Sequence, residues 1–158
     1  MSVSPDEFRS ALGRFPSGVT VVTTKAADGS DEGMTVSAFC SLSLEPPLVL
    51  ICIEKTATVH DALTQAPSFI VNVLSAKQEQ IARRFSTVDI DRFEGVGFSR
   101  SANDIAVLDD VLAVIECNRY TLHQAGDHTI IIGEVEAVRS ESGTPLLYYR
   151  GGYAQLEH

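Results

Sequence analysis

Most apolar residues of this chain fall in short runs rich in Val, Ile, Thr and Leu, and turn-forming residues separate the runs. Such runs are typical of β-strands. The run at 48–53 has no charged or hydroxylated side chain, which predicts a strand buried on both faces. The segment HQAGDH joins two long runs, and its Ala-Gly-Asp centre predicts a hairpin turn. The predicted strands lie at residues 19–24, 34–39, 48–53, 68–74, 111–122, 129–138 and 145–149.

Helical spacing is confined to three short segments. Ser4 is followed by Glu7 at the spacing of a capping box, which predicts a helix start. Thr58 and Asp61 repeat that spacing before a second helical segment. The predicted helices are one that begins after Ser4, one at residues 58–66 and one at residues 77–85. The apolar residues on one face of the first and third helices are Phe8, Ala11, Leu12, Ile81, Ala82 and Phe85.

Strands dominate this pattern, and the helices are few. A doubly wound sheet would alternate strands with helices, which this chain does not do. The pattern therefore predicts a mainly β fold, namely a closed antiparallel barrel with a few short flanking helices. A chain of 158 residues has the length of one domain. We place that domain at residues 1–155 and interpret residues 156–158, Leu-Glu-His, as the remnant of a histidine tag.

The chain is acidic, with a formal net charge of −9 at pH 7. Nucleic acids and anionic membranes bind basic surfaces, so we expect neither as a partner. No apolar run reaches the roughly 20 residues that span a bilayer, and the N-terminus lacks the layout of a signal peptide. Cys40, Cys52 and Cys117 form no CxxC pattern, so we expect reduced thiols and a cytoplasmic protein.

Several common motifs do not occur in the sequence. It contains no GxGxxG, no P-loop and no GxSxG. The sequence therefore indicates neither a Rossmann-type nucleotide site nor the serine nucleophile of a hydrolase. Its histidines show neither HxxxH nor HxH spacing, and we predict no metal site. His60 and His123 have no polar context that would suggest a role.

Small and hydroxylated residues alternate with apolar ones at residues 33–37 and 40–44. A binding surface for a flat heteroaromatic ring with polar edges needs such a pattern, because small side chains let the plane of the ring approach the backbone. The same pattern also suits a Ser- and Thr-rich edge strand that faces solvent, and on pattern alone that alternative is favoured.

Two segments could bind a phosphate. Glu54, Lys55 and Thr56 end a predicted strand just before a helix, where free N–H groups and a lysine suit an anion. Residues 83–86 (Arg-Arg-Phe-Ser) end another helix, and a phosphate contact is one interpretation of the arginines. The alternatives are a solvated Lys55 and arginines that complement the negative end of the helix.

The turn Gly126-Asp127-His128 could position a ligand at the mouth of two strands. A histidine there can bind a carboxamide or a phosphate, and the neighbouring aspartate can orient its ring. A turn histidine without a role is the alternative. Tyr148 and Tyr149 either pack on the barrel or contribute to a subunit interface.

Together and in this order, these features resemble the short-chain flavin reductase family. The stretches that carry the resemblance are FRSALGRFPSGVTVVTT, GMTVSAFCSLSLEPPLVL, the run at residues 82–85, AGDHTIIIGEV and PLLYYRGGY. They cover nearly the whole chain. The resemblance implies an FMN-binding antiparallel split β-barrel of Greek-key type. Within the family, the chain looks most like the reductase component of two-component flavin monooxygenases.

The resemblance also implies a set of site residues. His128 would face the nicotinamide, and Asp127 would set the tautomer of its ring. Val36 stands where family members often carry Ala or Ser, and its branched side chain would narrow the flavin pocket. The implied cofactor-binding residues are Met34, Thr35, Val36, Ser37, Ser41, Leu42, Glu54, Lys55, Thr56, Arg84, Phe85, Ser86 and Tyr153.

The activity implied by the resemblance is hydride transfer from NADH or NADPH to FMN or FAD. Reduced flavin would then diffuse to a partner monooxygenase. Family members are typically homodimers with flavin sites near the interface. Three other functions stay open: a non-catalytic flavin-binding module, an oxidase of a phosphorylated pyridoxine-type substrate, and a reductase of another acceptor such as a corrinoid or a ferric complex.

Overall fold

The computed structural model describes residues 2–157 and is mainly β, with antiparallel sheets and few short helices. His158, the last residue of the predicted tag remnant, lies outside the described residues. The helices are α1 (Pro5–Leu12), α2 (His60–Gln65) and α3 (Glu79–Arg84), and a 3-10 turn at Ala76–Gln78 precedes α3. The strands are β1 (Ser17–Gly18), β2 (Thr20–Lys25), β3 (Asp31–Val36), β4 (Phe39–Ser43), β5 (Leu48–Glu54), β6 (Ser68–Val73), β7 (Phe98–Arg100), β8 (Ala106–Leu108), β9 (Ala113–Ala125), β10 (His128–Ser140), β11 (Leu146–Tyr149) and β12 (Gly152–Gln155).

The largest sheet has seven strands in the order β3-β2-β6-β9-β10-β5-β4, and every neighbouring pair is antiparallel. Its two edge strands, β3 and β4, follow each other in the chain with only Ser37 and Ala38 between them. The chain therefore passes directly from one edge strand of the sheet to the other at residues 37–38, which we call the seam. The predicted mainly β, antiparallel fold with few short helices is confirmed.

Two apolar clusters pack against opposite faces of this sheet. The first joins one face of the seven-stranded sheet to α2, with Ile51, Phe69 and Ile131 fully buried. The second lies between the other face, at β2 and β6, and a cover made of α3, β8 and β11. Because neighbouring residues on a strand point to opposite faces, Val21 and Val22 enter different clusters.

The position of this cover corrects one prediction. β5 alternates between buried and half-buried residues, so it is not buried on both faces. The strands that are buried on both faces are β2 and β6, because α3 and β8 lie over them and not over β5. The predicted strand at 34–39 is two strands that meet at the seam. Four strands were not predicted, because each is too short to show an alternation of apolar and polar residues: β1, β7, β8 and β12.

The three helices begin where capping or turns allow. The α1 capping box is confirmed: Glu7 N donates to Ser4 Oγ at 3.2 Å, and Ser4 N donates to Glu7 Oε2 at 2.9 Å. The predicted box at Thr58 and Asp61 is wrong, because α2 begins after Val59, which makes no side-chain cap. Its start is set by turns instead, with His60 N donating to Ala57 O.

The hairpin of β9 and β10 turns as predicted. Gly126 has a φ of 61°, and Ala125 pairs with His128 across the turn. Such a left-handed residue matches the twist of a two-residue hairpin turn. The hairpin therefore presents Asp127 and His128 at its tip. In residues 2–157, no helix has both the length and the apolar character that crossing a membrane requires.

Gly133 lies at a register shift between β9 and β10, where a side chain has no room. A Cβ atom there would lie 2.6 Å from Phe69 Cζ and 2.8 Å from Cys117 Cβ. We expect Gly133→Ala to lower the free energy of unfolding in urea by about 1–3 kcal/mol, because the core must move to admit the methyl group. The control is Gly18→Ala, whose new Cβ meets no atom within 4 Å. Equal unfolding free energies for the two variants would contradict this packing.

Candidate functional site

The seam places an exposed serine beside the end of β5. Phe39 pairs with Ile51, and Cys52 N donates to Ala38 O at 3.0 Å. The antiparallel register continues in the same direction, so Ser37 lies next to the last residues of β5. Its neighbour Val36 is already buried in the core. In the segment 33–37, which is predicted to line the ring, Ser37 is thus the residue that is exposed at the surface.

The end of β5 is joined to the tip of the β9–β10 hairpin. Glu54 pairs with His128 across the two strands, and Lys55 N donates to Asp127 O at 2.9 Å. The structure therefore brings the predicted phosphate segment and the predicted nicotinamide residues into direct contact. Chain positions more than seventy residues apart form one patch, which sequence spacing alone does not reveal.

His128 is oriented by its neighbour in the chain. Its Nδ1 lies 2.7 Å from Asp127 Oδ1, and a carboxylate can only accept, so Nδ1 carries the proton. The Nε2 atom of the neutral ring is then an acceptor. This hydrogen bond, followed by the charges of His128 and Lys55, lowers the pKa of the Asp127 carboxyl. The His128 side chain is 41% exposed, which leaves Nε2 accessible to a ligand.

The hydroxyl groups of Thr35, predicted to line the ring, and Ser86, predicted near the ribityl and phosphate groups, both bind the last turn of α3. Thr35 Oγ1 donates to Ala82 O at 2.6 Å, and Ser86 Oγ donates to the same carbonyl at 3.0 Å. Thr35 N donates to Phe85 O at 3.1 Å. These groups meet around the last turn of α3. Their donors, however, are occupied by contacts within the chain.

Three predicted site residues have side chains that point into the core. Phe85 is fully buried, Val36 is 4% exposed, and Met34 packs against the cluster that contains Val36. The Val36 side chain therefore does not narrow a surface pocket. Phe85 packs against Gly33, where an added Cβ would lie 3.0 Å from the phenyl ring. Phe85 and Val36 stabilise the frame of the site rather than its surface.

Two arginines hold the loop that follows α3. Arg84 donates from Nε to Arg92 O at 2.8 Å and from Nη2 to Asp91 O at 2.6 Å. Arg92 in turn donates from Nη1 to Gly33 O at 2.8 Å, and burial lowers the pKa of its guanidinium. Of these two guanidinium groups, Nη1 of Arg84 and Nη2 of Arg92 make no hydrogen bond within residues 2–157. Gly33 is the first residue of the segment predicted at residues 33–37, whereas no role was predicted for Arg92, which stands in no recognisable motif.

A cavity of about 330 Å³ lies between these groups, lined by Gly33, Thr58, Val59, Arg92 and Phe93 among others. It joins the segment after Thr56 to the start of β3. A larger groove of about 1230 Å³ opens elsewhere, between the 3-10 turn and the β8–β9 connection. None of the predicted cofactor-binding residues lines either cavity, and Ser37, Lys55 and Asp127 are exposed in the single chain.

Three predicted residues are not brought to this patch. Ser41 pairs with Val49 and Leu42 adjoins it, near the opposite end of β5 from Glu54. At about 3.3 Å per residue, roughly 17 Å of strand separates Val49 from Glu54. Tyr153 lies on β12, where the Arg83 guanidinium is 5.0 Å from its ring centre. It packs beside α3 and away from Lys55.

The groups left at the patch suit an anion and an amide. Lys55 makes no ion pair within residues 2–157 and Ser37 is exposed, while Arg84, at the end of α3, keeps Nη1 free of hydrogen bonds. Cations and hydroxyl donors of this kind bind phosphate, and His128 Nε2 can accept from a carboxamide N–H. The chemistry of these donors therefore fits a flavin phosphate and a nicotinamide. No group of His, Cys, Asp or Glu in the described part of the chain could hold a metal ion.

Comparison with known proteins identifies the family. The model of the flavin reductase like domain matches residues 12–157. This match covers most of the chain, and the chain therefore belongs to the flavin reductase family.

Individual relatives match over nearly the full length. A flavin reductase of Pseudomonas putida is 40% identical over 153 residues, which cover 96% of this chain and 90% of that protein. The reductase subunit HsaB of a flavin-dependent monooxygenase of Mycobacterium tuberculosis is 38% identical, covering 98% and 84% respectively. A solved structure, the NADH:FAD oxidoreductase SgcE6 of Streptomyces globisporus C-1027 with NAD and FAD fragments, has a TM-score of 0.92. It is 36% identical, and the match covers 99% of this chain and 97% of that chain.

The three thiols near or under this sheet should react in a fixed order. Cys40 is exposed, Cys52 is half-buried with its pKa raised first by burial, and burial raises the pKa of Cys117 to about 12. Thiolate is the reactive form, so at pH 8 we expect one fast thiol, one slow thiol and one that reacts only after unfolding. An aromatic disulfide reagent measures this order. The fast phase should vanish in Cys40→Ser, and its persistence would contradict the assignment.

Proposed function

We propose that this chain is an NAD(P)H:flavin oxidoreductase that passes a hydride from NADH or NADPH to FMN or FAD and supplies reduced flavin to a partner monooxygenase. The family match and the reductase relatives support this activity. The structural observation that carries the proposal is the bond from Lys55 N to Asp127 O. It joins a cationic segment to an oriented histidine, as two adjacent ligands require.

The residues at the patch have distinct tasks in this proposal. The flavin would supply the hydride acceptor. Lys55, Thr56 and the free nitrogen of Arg84 would hold its phosphate, and the exposed backbone and hydroxyl at Ser37 would meet the edge of its ring. Hydride transfer removes no proton from the donor, so no side chain is needed as a general base. The service of the protein is to hold donor and acceptor near contact, at about 3–3.5 Å.

His128 would position the nicotinamide. Asp127 holds the proton on Nδ1, so Nε2 accepts from the carboxamide N–H of the dinucleotide. The hairpin tip is the right place for this role because it is rigidly tied to Lys55 and still exposed. The pair would therefore fix the orientation of the donor rather than take part in proton transfer.

The seam supports closure of the large sheet into the split barrel that the family resemblance implies. Its edge strands β3 and β4 are linked by two residues, as expected of a sheet that would curl until its edges meet. Val36 and Ile51, from the two sides of the seam, pack in one cluster. The free thiols at all three cysteines support our further proposal that the protein works in the cytoplasm.

Anaerobic stopped-flow absorbance tests the proposed activity. Protein with FMN, and then with FAD, is mixed with NADH or NADPH, and bleaching of the flavin absorbance is expected with at least one pair. Flavin that binds but is not bleached would favour the non-catalytic module. Absence of binding at micromolar flavin would overturn the proposal. NADH oxidation that requires a corrinoid or ferric complex, and not flavin, would favour a different acceptor.

His128→Ala should separate donor binding from flavin binding. We expect its KM for NADH to rise by roughly tenfold, the effect of losing one or two positioned hydrogen bonds. The dissociation constant for flavin should change little, because Lys55 and Arg84 are untouched. His123→Ala, an exposed histidine on β9, is the control and should keep its KM. An equal loss of flavin affinity in His128→Ala would refute the assigned role.

We further propose that the protein is a homodimer whose interface adjoins the site. Leu50 and Ile132 pair across β5 and β10, Cys52 pairs with Ile130, and all four side chains are only half-buried. This apolar face continues along β10 to His128. A second copy seated there would cover the face and enclose a patch that is open in one chain. Symmetric dimers are also the commonest oligomers.

Light scattering coupled to size exclusion tests the dimer. The expected mass is twice the 17.0 kDa of one chain. Ile132→Lys should give a single-chain mass, because a buried charge without a partner disrupts an interface. Val138→Lys, at an exposed position on the same strand, should remain a dimer. A wild-type mass of one chain, or an unchanged Ile132→Lys dimer, would place the interface elsewhere or remove it.

A further inference from the structure

His60 connects two elements that carry the proposed site. Its Nε2 atom lies 2.8 Å from Thr129 Oγ1, and its Nδ1 atom lies 3.0 Å from Asp61 Oδ1. The Thr129 hydroxyl also bonds to Gln124 Oε1 at 3.3 Å. The ring is thus held on both sides, and its side chain is only 14% exposed. Four residues from α2, β9 and β10 form one chain of hydrogen bonds.

The two ends of this chain are adjacent to the ligand-binding groups. His60 is the first residue of α2 and ends the segment that begins at Glu54. Thr129 directly follows His128, and its side chain is fully buried on the opposite face of β10. A shift of the α2 start relative to β10 would therefore break the bond between His60 and Thr129.

A second tie lies at the other end of the same segment. Lys55 N donates to Asp127 O, so the segment is fastened to the hairpin once by its backbone and once by the His60 ring. Between these ties, only Thr56 to Val59 span the gap. Val59 is itself buried against the core. The position of Lys55 and Thr56 relative to His128 thus depends on both ties.

We propose that His60 is a positioning residue, which sets the distance between the phosphate-binding segment and the nicotinamide-binding histidine through its bond to Thr129. This inference rests on the proposed function, because it concerns the same two ligands. His60 touches neither ligand. It acts on the hydride transfer step, whose rate depends steeply on how donor and acceptor are held.

The test compares variants that remove or keep the bond. His60→Phe keeps a flat ring without hydrogen bonds, and Thr129→Val removes the hydroxyl at nearly the same volume. At saturating NADH, we expect the rate of flavin bleaching in each variant to fall by about tenfold, because donor and acceptor are no longer aligned. The flavin dissociation constant should change less than that rate. The double variant should be no slower than either single variant, since both remove one interaction.

Rescue and a matched control separate positioning from folding. His60→Gln carries a donor and an acceptor at about the reach of Nε2, and its bleaching rate should lie within about threefold of wild type. Thr64→Val removes a hydroxyl on the same helix that donates to Asp61 O at 3.3 Å and contacts neither His60 nor Thr129 by a hydrogen bond, and it should keep the wild-type rate. Thermal melting of every variant shows whether a slow rate reflects unfolded protein.

The outcomes distinguish this inference from the proposed function. If the wild-type protein does not bleach bound flavin, the function itself fails. If the wild type is active but folded His60→Phe bleaches flavin at the wild-type rate, the positioning role is overturned. A His60→Gln variant as slow as His60→Phe, or a double variant whose losses multiply, would also overturn it.

Discussion

The constraint on which the rest depends is the two-residue link between the edge strands of the large sheet. Because only Ser37 and Ala38 separate β3 from β4, the chain passes directly from one edge strand of the sheet to the other. This link places Val36 and Ile51 in one apolar cluster and Ala38 beside Cys52, near the end of β5. It also leaves β2 and β6 to be covered by α3 on the outside. The core and the site therefore follow from the same short connection.

Much of the fold was predictable where a local pattern had one cause. The capping box of Ser4 and Glu7, the hairpin turn at Gly126 and the long strands of β9 and β10 depend on neighbours in the chain. β5 was misjudged because an apolar run does not say which strands a helix covers. Thr58 was misjudged because turns before α2 move its start past that residue.

The contacts among the predicted site segments were predictable only in part. The segment at Lys55 and the turn at His128 do meet, although nothing local joins them. Thr35 and Phe85 belong to the same region, but their side chains bind α3 and the core, which depends on packing that no motif encodes. His60 looked inert because its partner Thr129 is distant in sequence. A polar residue at a predicted helix start, opposite a threonine in an apolar strand, is the only hint that the chain offered.

The arginines after α3 have a consequence for how long a ligand stays. Arg84 and Arg92 place most of their donors on carbonyl groups of their own loop and of β3, on a protein whose formal net charge is −9. Few cationic side chains remain to bind a phosphate, so the residence time of a bound anion should be short. An enzyme that supplies its product to another enzyme benefits from rapid release of that product. The hydrogen bonds of these arginines, one of which covers the edge strand β3, would thus favour release of the bound ligand over its retention.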